Sequence, residues 1–365
     1  MDTAKTFKPD TILLWQKVAD HSEAQRIVNL FPSADVKIIE HQRIRPSPSL
    51  STSQIFHNGK KTLMIGQTSS FVGRFDGRLG TTVRCCPYHK LVPISNGCPY
   101  YCTYCYLAFI YRKYSPFIKL NINYGTMFKQ LRKAADNTNG HANFNMGEML
   151  DSLALDHITN LTTKLVPFMQ QIPNAYLMLL TKSGNIDNLL TMKPNSHTVL
   201  SWSLNSQFVI DEYESGTANL SERLEAAKTC QHHGYRIRYR IDPGILQPDW
   251  RENYADLVRK ALTAALPENI TIGMLRLLPS HFLFAREIYG NTAKKLFSHP
   301  FISGASDNKL RYLPAKRLEF YNFLIDTIRS FDKNISISLC RETPDIWQAL
   351  KNRCEPHRCN CITWQ

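Results

Sequence analysis

Ser95-Asn-Gly-Cys98-Pro-Tyr-Tyr-Cys102-Thr-Tyr-Cys105-Tyr-Leu107 carries three cysteines in the spacing C-x3-C-x2-C. Thiolates bind iron–sulfur clusters, and cysteines this close on one loop can reach three corners of one cube. Three protein ligands leave one iron open, as catalytic zinc sites keep a position for substrate. No fourth cysteine lies in the local run. Cys98, Cys102 and Cys105 are therefore the expected ligands of a [4Fe-4S] cluster; the alternatives are a zinc site or unrelated free thiols.

Downstream of this loop, strand-like and helix-like segments alternate. Residues 175–182, 198–205, 235–241 and 270–277 read as strands, and 144–148 as the end of a short one. Residues 126–135, 157–171, 221–233 and 250–266 read as helices. Asn219 caps the third of these, with Glu222 three residues on and Gly234 as its stop. Asp242-Pro-Gly244 reads as a turn. This alternation predicts an α/β fold, a parallel sheet covered by helices. No G-x-G-x-x-G follows a strand and no Walker A motif is present, so a barrel or partial barrel fits better than a dinucleotide-binding sheet.

The flanks read differently. Residues 61–66 look like a strand and 46–53 like a Ser- and Pro-rich loop. Past 300, residues 315–331 read as a helix and 335–340 as a strand, and the chain ends in a compact cysteine-rich tail. The expected division is an N-terminal α/β region over 1–90, a core barrel over 91–300 and a C-terminal extension over 301–365.

Composition narrows the partners. The 365 residues are 43% hydrophobic and 20% charged, enough for a large core. No run of eighteen apolar residues appears, and the polar N-terminus lacks the apolar stretch of a secretory signal. A cytoplasmic protein with no membrane partner is the expectation. Lys and Arg number 44 against 30 Asp and Glu, a net +14 that favours anionic partners, nucleic acid first. Arg236, Arg238 and Arg240 alternate along one strand. Arg112, Lys113 and Lys119 lie among Tyr106, Phe109, Tyr111, Tyr114 and Phe117, which suits phosphate contact and base stacking, although aromatics also fill ordinary cores. The ten cysteines, with no signal peptide, read as thiols or metal ligands and not as disulfides.

The spacing C-x3-C-x2-C followed by an aromatic resembles the radical S-adenosylmethionine (SAM) superfamily. More narrowly, the chain resembles spore photoproduct lyase, a radical SAM DNA-repair family, from about His41 to about Leu339. The likeness rests on Thr62-Leu-Met-Ile-Gly66, the cluster loop with Tyr104 and Tyr106, Leu155-Asp-His-Ile-Thr159, Leu180-Thr-Lys182, Ile186-Asp-Asn-Leu-Leu190, Ser203-Leu-Asn-Ser206 and Val209-Ile210. It continues through Gly216-Thr217, Arg223-Leu-Glu-Ala-Ala-Lys228, Gly234-Tyr235, Pro243-Gly-Ile245 and Trp250-Arg-Glu-Asn-Tyr254. The resemblance implies a partial (β/α)6 barrel with the cluster loop after its first strand and SAM across its mouth. It implies that Lys182, Ser203 and Asn205 hold SAM. It implies that Tyr104 and Tyr106 lie by SAM and help return a hydrogen atom. Tyr312, with Lys309 nearby, falls near a tyrosine that sits by the lesion.

Two departures stand out. The lyases carry a hydrogen-donating cysteine at the end of the second barrel strand; here that stretch is Phe144-Asn-Met-Gly-Glu148-Met-Leu-Asp151. Gly147-Glu148 instead resembles the motif with which many radical SAM enzymes hold the SAM amino group, so Glu148 is expected at the cofactor and in catalysis. The second departure is five more cysteines. Cys85 and Cys86 precede the cluster loop, and Cys354, Cys359 and Cys361 close the chain with His357 among them. The two groups are expected to meet and bind a second centre, an auxiliary [4Fe-4S] cluster or zinc; the alternative is thiols on a loose tail. Cys230 and Cys340 read as core thiols.

The favoured reading is a radical SAM lyase acting on DNA lesions, served by a reductant such as flavodoxin or ferredoxin. The alternatives are radical SAM modification of intact nucleic acid or of a peptide, and a non-catalytic Fe-S or zinc nucleic-acid-binding protein.

Overall fold

The computed structural model describes residues 7–112 and 115–363. Lys113 and Tyr114 of the basic and aromatic stretch lie outside the described residues, as do residues 1–6 of the polar N-terminus.

Seven strands run parallel in chain order: Tyr88–Leu91, Ala142–Asn145, Ala175–Thr181, Thr198–Ser203, Arg236–Gly244, Asn269–Met274 and Ser336–Leu339. Val72–Phe75 adds an antiparallel strand at one edge. The two edge strands do not pair with each other, so the sheet is an open, partial barrel, as expected. Every residue of Thr198–Ser203 is buried, because helices cover one face of such a sheet and the lumen encloses the other.

A second sheet sits on the N-terminal side. Asp35–Ile39, Thr11–Trp15, Thr62–Gly66 and Ile118–Asn121 run parallel, and Ile94–Ser95 pairs antiparallel with the last of them. Its fourth strand comes from beyond the cluster loop. The loop therefore leaves from Ile94–Ser95 and returns to the paired strand Ile118–Asn121, which pins both its ends.

The local expectations hold where capping is local. Asn219 and Glu222 form a capping box on Leu220–His233, and Gly234 ends that helix at φ 107°. The helix expected over 157–171 is broken at Asn160, which has φ 46°. There the Asp156 carboxylate accepts the Thr162 N–H at 2.9 Å and an Asn188 amide N–H at 3.0 Å. Residues 242–244 are not a free turn; they continue the fifth strand through a register slip between Ile241 and Gly244. Among the described residues no helix is long and apolar enough to cross a membrane.

The arginines of the fifth strand overturn one expectation. Their alternation is real, but the shared face is the lumen. Arg236 and Arg238 pair with Glu268, and Arg240 pairs with Glu148 and Asp242. Arg238 and Arg240 are structural cations inside the barrel, and Arg236, partly exposed at the start of the strand, is held by Glu268, so the three do not form a nucleic-acid face. Phe109 and Phe117 are likewise buried, Phe109 packing with Phe56 and Phe284.

The tail is not loose. Cys359, Asn360, Cys361 and Thr363 are buried, because the tail plugs the polar lumen. Asn360 Nδ2 donates to Ser201 Oγ and to the Tyr239 carbonyl, both at 2.8 Å, and its backbone N–H donates to Thr271 Oγ1. Arg238 donates to the Ile362 carbonyl, and Thr363 donates to Asn143 Oδ1. Replacing Asn360 by alanine strands buried groups on two barrel strands. It is expected to cost about 1–3 kcal/mol of stability, read from urea unfolding. An unchanged midpoint would contradict this account of the plug.

Candidate active site

A cavity of about 240 Å³ opens at the C-terminal ends of the barrel strands, the end that carries active sites in such barrels. Cys98, Cys102 and Cys105 line it together. Tyr101–Cys102 pairs antiparallel with Glu214–Ser215, and the Thr103 N–H bonds the Tyr213 carbonyl at 2.9 Å. Cys105 caps the short helix Tyr106–Tyr111, its sulfur accepting the Ala108 N–H at 3.4 Å. Lys60, buried at the end of helix Thr52–Lys60, donates to the Cys98 carbonyl at 2.5 Å. Burial pushes the Cys98 thiol up to about 12, against the pull of the Lys60 ammonium.

Among the described residues no three His, Cys, Asp or Glu side chains are grouped as around a single metal ion. A [4Fe-4S] cube spreads its thiolates over separate iron atoms. Three cysteines from one loop on one cavity, beside polar strand ends, fit such a cluster with one iron open to the cavity.

The strand ends supply the rest of the lining. Gly147 and Glu148 follow the second strand, Lys182 the third, and Ser203 ends the fourth. Gly147 is packed against Leu180; a Cβ there would stand 2.2 Å from the Leu180 Cβ. Lys182 Nζ donates to Tyr104 Oη at 3.0 Å and to Glu214 Oε1 at 2.8 Å. Tyr104 also donates to Glu214, whose other oxygen takes Arg223 Nη2 at 2.6 Å. Asp151 accepts the Thr181 hydroxyl at 2.6 Å and the Lys182 N–H at 2.7 Å, fixing the backbone that carries Lys182.

Glu148 has both oxygens paired, with Arg240 at 2.9 Å and Arg341 at 2.7 Å. Asp242 then bridges Arg240 and Arg276, each at 2.8 Å. Lys309 also lines the cavity, its ammonium 4.8 Å from the Tyr106 ring centre, and burial brings it down to about 8 beside Arg276 and Arg341. Tyr106 is partly exposed, whereas Tyr104 is enclosed by its partners, and burial with Glu214 raises its phenol well above 10.

Two expected residues sit elsewhere. Asn205 is fully buried and absent from the cavity lining; its amide donates to the Pro243 carbonyl at 2.8 Å and its oxygen accepts from Tyr254 at 2.7 Å. Its polar atoms are spent holding Pro243, which does line the cavity. Tyr312 is buried against Phe301, with ring centres 4.7 Å apart, and does not line the cavity. Cys340 is not an apolar core thiol: Arg240 and Arg276 donate to its sulfur at 3.0 and 3.3 Å. Lys60, Asp151, Glu214 and Arg276 were not evident from the sequence. Only Gly216-Thr217 and the Arg223 helix flagged the Glu214 neighbourhood.

The two paired carboxylates set an acid limit. Burial alone would raise them, but their arginine and lysine partners hold Glu148 and Glu214 at about 2, below the ordinary 4.5. As pH falls, the unfolded chain takes up protons at these groups first. Their contribution is therefore complete above about pH 4.5 and lost toward pH 2. Urea unfolding free energy is expected to fall across that window, with a shallower slope in a Glu148→Gln, Glu214→Gln double variant. Equal slopes would contradict the pairing.

A spore photoproduct lyase family model matches residues 7–302. The chain is 26% identical over 268 residues to the spore photoproduct lyase of Bacillus subtilis (strain 168), covering 72% of this chain and 75% of that one. It is 25% identical over 260 residues to the spore photoproduct lyase of a Geobacillus species, covering 70% and 74%. Its fold is similar to a solved spore photoproduct lyase complexed with dinucleoside spore photoproduct. That match has a TM-score of 0.79 and 20% identity, over 92% of this chain and 99% of the other. A variant of that enzyme with bound AdoMet and dinucleoside spore photoproduct matches at a TM-score of 0.77 and 20% identity, over 91% and 98%. The match to most of the length, together with the cysteine loop at the mouth of a parallel barrel, shows that the chain belongs to the spore photoproduct lyase family.

Proposed function

We propose that the chain is a radical SAM enzyme that reverses a thymine–thymine lesion of the spore photoproduct type in DNA. One observation carries the reading: three cysteines from one loop meet Lys182, Ser203 and Glu148 from successive strand ends around one cavity. Family membership supplies the reaction class. A [4Fe-4S] cluster on Cys98, Cys102 and Cys105, when bound, supplies the electron that cleaves SAM to a 5′-deoxyadenosyl radical.

The chain's own residues have separable tasks in this reading. Lys182 and Ser203 would grip the SAM carboxylate and ribose. Tyr104 and Glu214 would hold Lys182 in place. Glu148 would keep a spare lone pair for the SAM amine while fixing Arg240 and Arg341. Asn205 would act through Pro243. Tyr106 and Lys309, together at the cavity, would meet the lesion strand, Tyr106 serving hydrogen return and Lys309 a phosphate. Arg276 and Arg341 add positive potential there, in keeping with the net charge of +14. A flavodoxin or ferredoxin would act as reductant.

Glu148 favours a second reading. It stands where the lyases carry a hydrogen-donating cysteine, so the enzyme would modify intact nucleic acid or a peptide. The reduced holoprotein, given SAM and an oligonucleotide containing spore photoproduct, separates the two. Restored thymines by mass spectrometry support repair. 5′-Deoxyadenosine without restored thymines moves the assignment to the second reading.

A further inference from the structure

Cys85 and Cys86 follow the short hairpin Arg78–Leu79 with Val83–Arg84 and directly precede the first barrel strand. Cys359 and Cys361 come from the far end of the chain. The four meet in one cluster around Tyr88, separate from the loop cysteines. Cys359 shares sulfur hydrogen bonds with Cys86 and Cys361, and the Cys85 thiol lies against the Cys86 carbonyl at 3.6 Å. Among the described cysteines none is in a disulfide. All four line a cavity of about 450 Å³.

The tail holds this arrangement by a tight turn. The Ile362 N–H reaches the Cys359 carbonyl at 3.4 Å; Asn360 bonds Ser201 and Tyr239 in the lumen while Cys359 and Cys361 pack with Cys86 and Tyr88. Charge adds an independent observation. Arg240, Arg276 and Arg341 share only two carboxylates, Glu148 and Asp242, and all five side chains are at most 17% exposed. Buried charge without a counter-charge is costly. Cys361 adjoins this group, its thiol 3.7 Å from Glu148 Oε1. Arg341 lines the same cavity as the four thiols, so thiolates on a metal would face a cation there. A lone buried thiol packs as a small hydrophobe, as Cys230 does within its helix; four thiols beside a surplus guanidinium are a different environment.

We propose that Cys85, Cys86, Cys359 and Cys361 form a tetrathiolate site for a second metal centre, zinc or an iron–sulfur cluster, beneath Glu148. Cys354 lines the same cavity, but it packs into the main core beside Arg353, Arg329 and Glu355, so the proposed set is the four cysteines that cluster around Tyr88. No three of the groups stand at single-ion spacing. A zinc ion would draw the sulfurs together by rotation about χ1, whereas a cluster spans a wider set.

The test is the metal content of a Cys98→Ala, Cys102→Ala, Cys105→Ala variant, purified without oxygen. It is expected to keep about one zinc, or about four iron with matching sulfide, per chain. Zinc without sulfide identifies a zinc centre; iron with sulfide identifies a second cluster. A folded triple variant with neither metal in stoichiometric amount overturns the proposal. A Cys85→Ala, Cys86→Ala variant leaves the Asn360 and Thr363 anchors in place, so tail packing is not at issue. It is expected to lose that metal and keep the absorbance of the first cluster. Unchanged total metal in this variant also overturns the proposal.

Discussion

A Cys102→Ala variant is expected to purify folded but without the first cluster, and to cleave SAM more than about a hundredfold more slowly than the parent, since loss of a ligand exceeds loss of an outer-shell partner. Cys102 is the middle of the three proposed ligands and lies on the two-residue strand that pairs with Glu214–Ser215. Its thiol is buried, and burial raises it well above the ordinary 9.0. Without metal it is a small neutral side chain, and alanine replaces it at little cost to packing. Circular dichroism and the urea midpoint should therefore stay near the parent values, while iron at the first site and 5′-deoxyadenosine disappear together. A variant that keeps its cluster and its turnover would remove Cys102 from the ligand set.

Replacing Glu214 by glutamine is expected to damage both stability and turnover. This carboxylate has no exposure and neutralises two cations, Lys182 at 2.8 Å and Arg223 at 2.6 Å. Glutamine keeps the shape but not the charge, which leaves two cations sharing a neutral partner. Breaking a buried pair in this way costs about 3–5 kcal/mol. The damage reaches the site through two routes. Lys182 loses the group that aims it, and the Cys102 strand loses the geometry of its pairing partner. Turnover is expected to fall about 10- to 100-fold, the range for residues that orient a metal site from behind. Urea unfolding and the rate of 5′-deoxyadenosine formation check both. A stability change under roughly 0.5 kcal/mol would place Glu214 with ordinary surface residues.

The barrel and the cluster loop are legible in the sequence because both are local signals. Three cysteines within eight residues point to one shared site, and the three line one cavity. Apolar runs such as residues 175–182, set between helical stretches, declare buried parallel strands. What failed was orientation and distance. The alternation of Arg236, Arg238 and Arg240 states that they share a face, but a period of two does not say whether that face is solvent or lumen. Asn205 has a side chain suited to a cofactor, yet Pro243 and Tyr254 claim it from segments far along the chain. Glu214 has no periodic or motif context; its importance lies in pairing with Cys102, Lys182 and Arg223 across the fold. The tail is held by single polar residues, Asn360 and Thr363, whose partners lie on the second, fourth and fifth barrel strands and are brought together only in the lumen.

The central claim is that the three loop cysteines hold a cluster with an iron open to a SAM-binding cavity. The most direct measurement is 5′-deoxyadenosine, followed by mass spectrometry, after the protein is loaded with iron and sulfide without oxygen, reduced and given SAM. The account predicts 5′-deoxyadenosine that depends on reductant and on all three cysteines. A fully loaded, reduced and folded protein that forms none would contradict it.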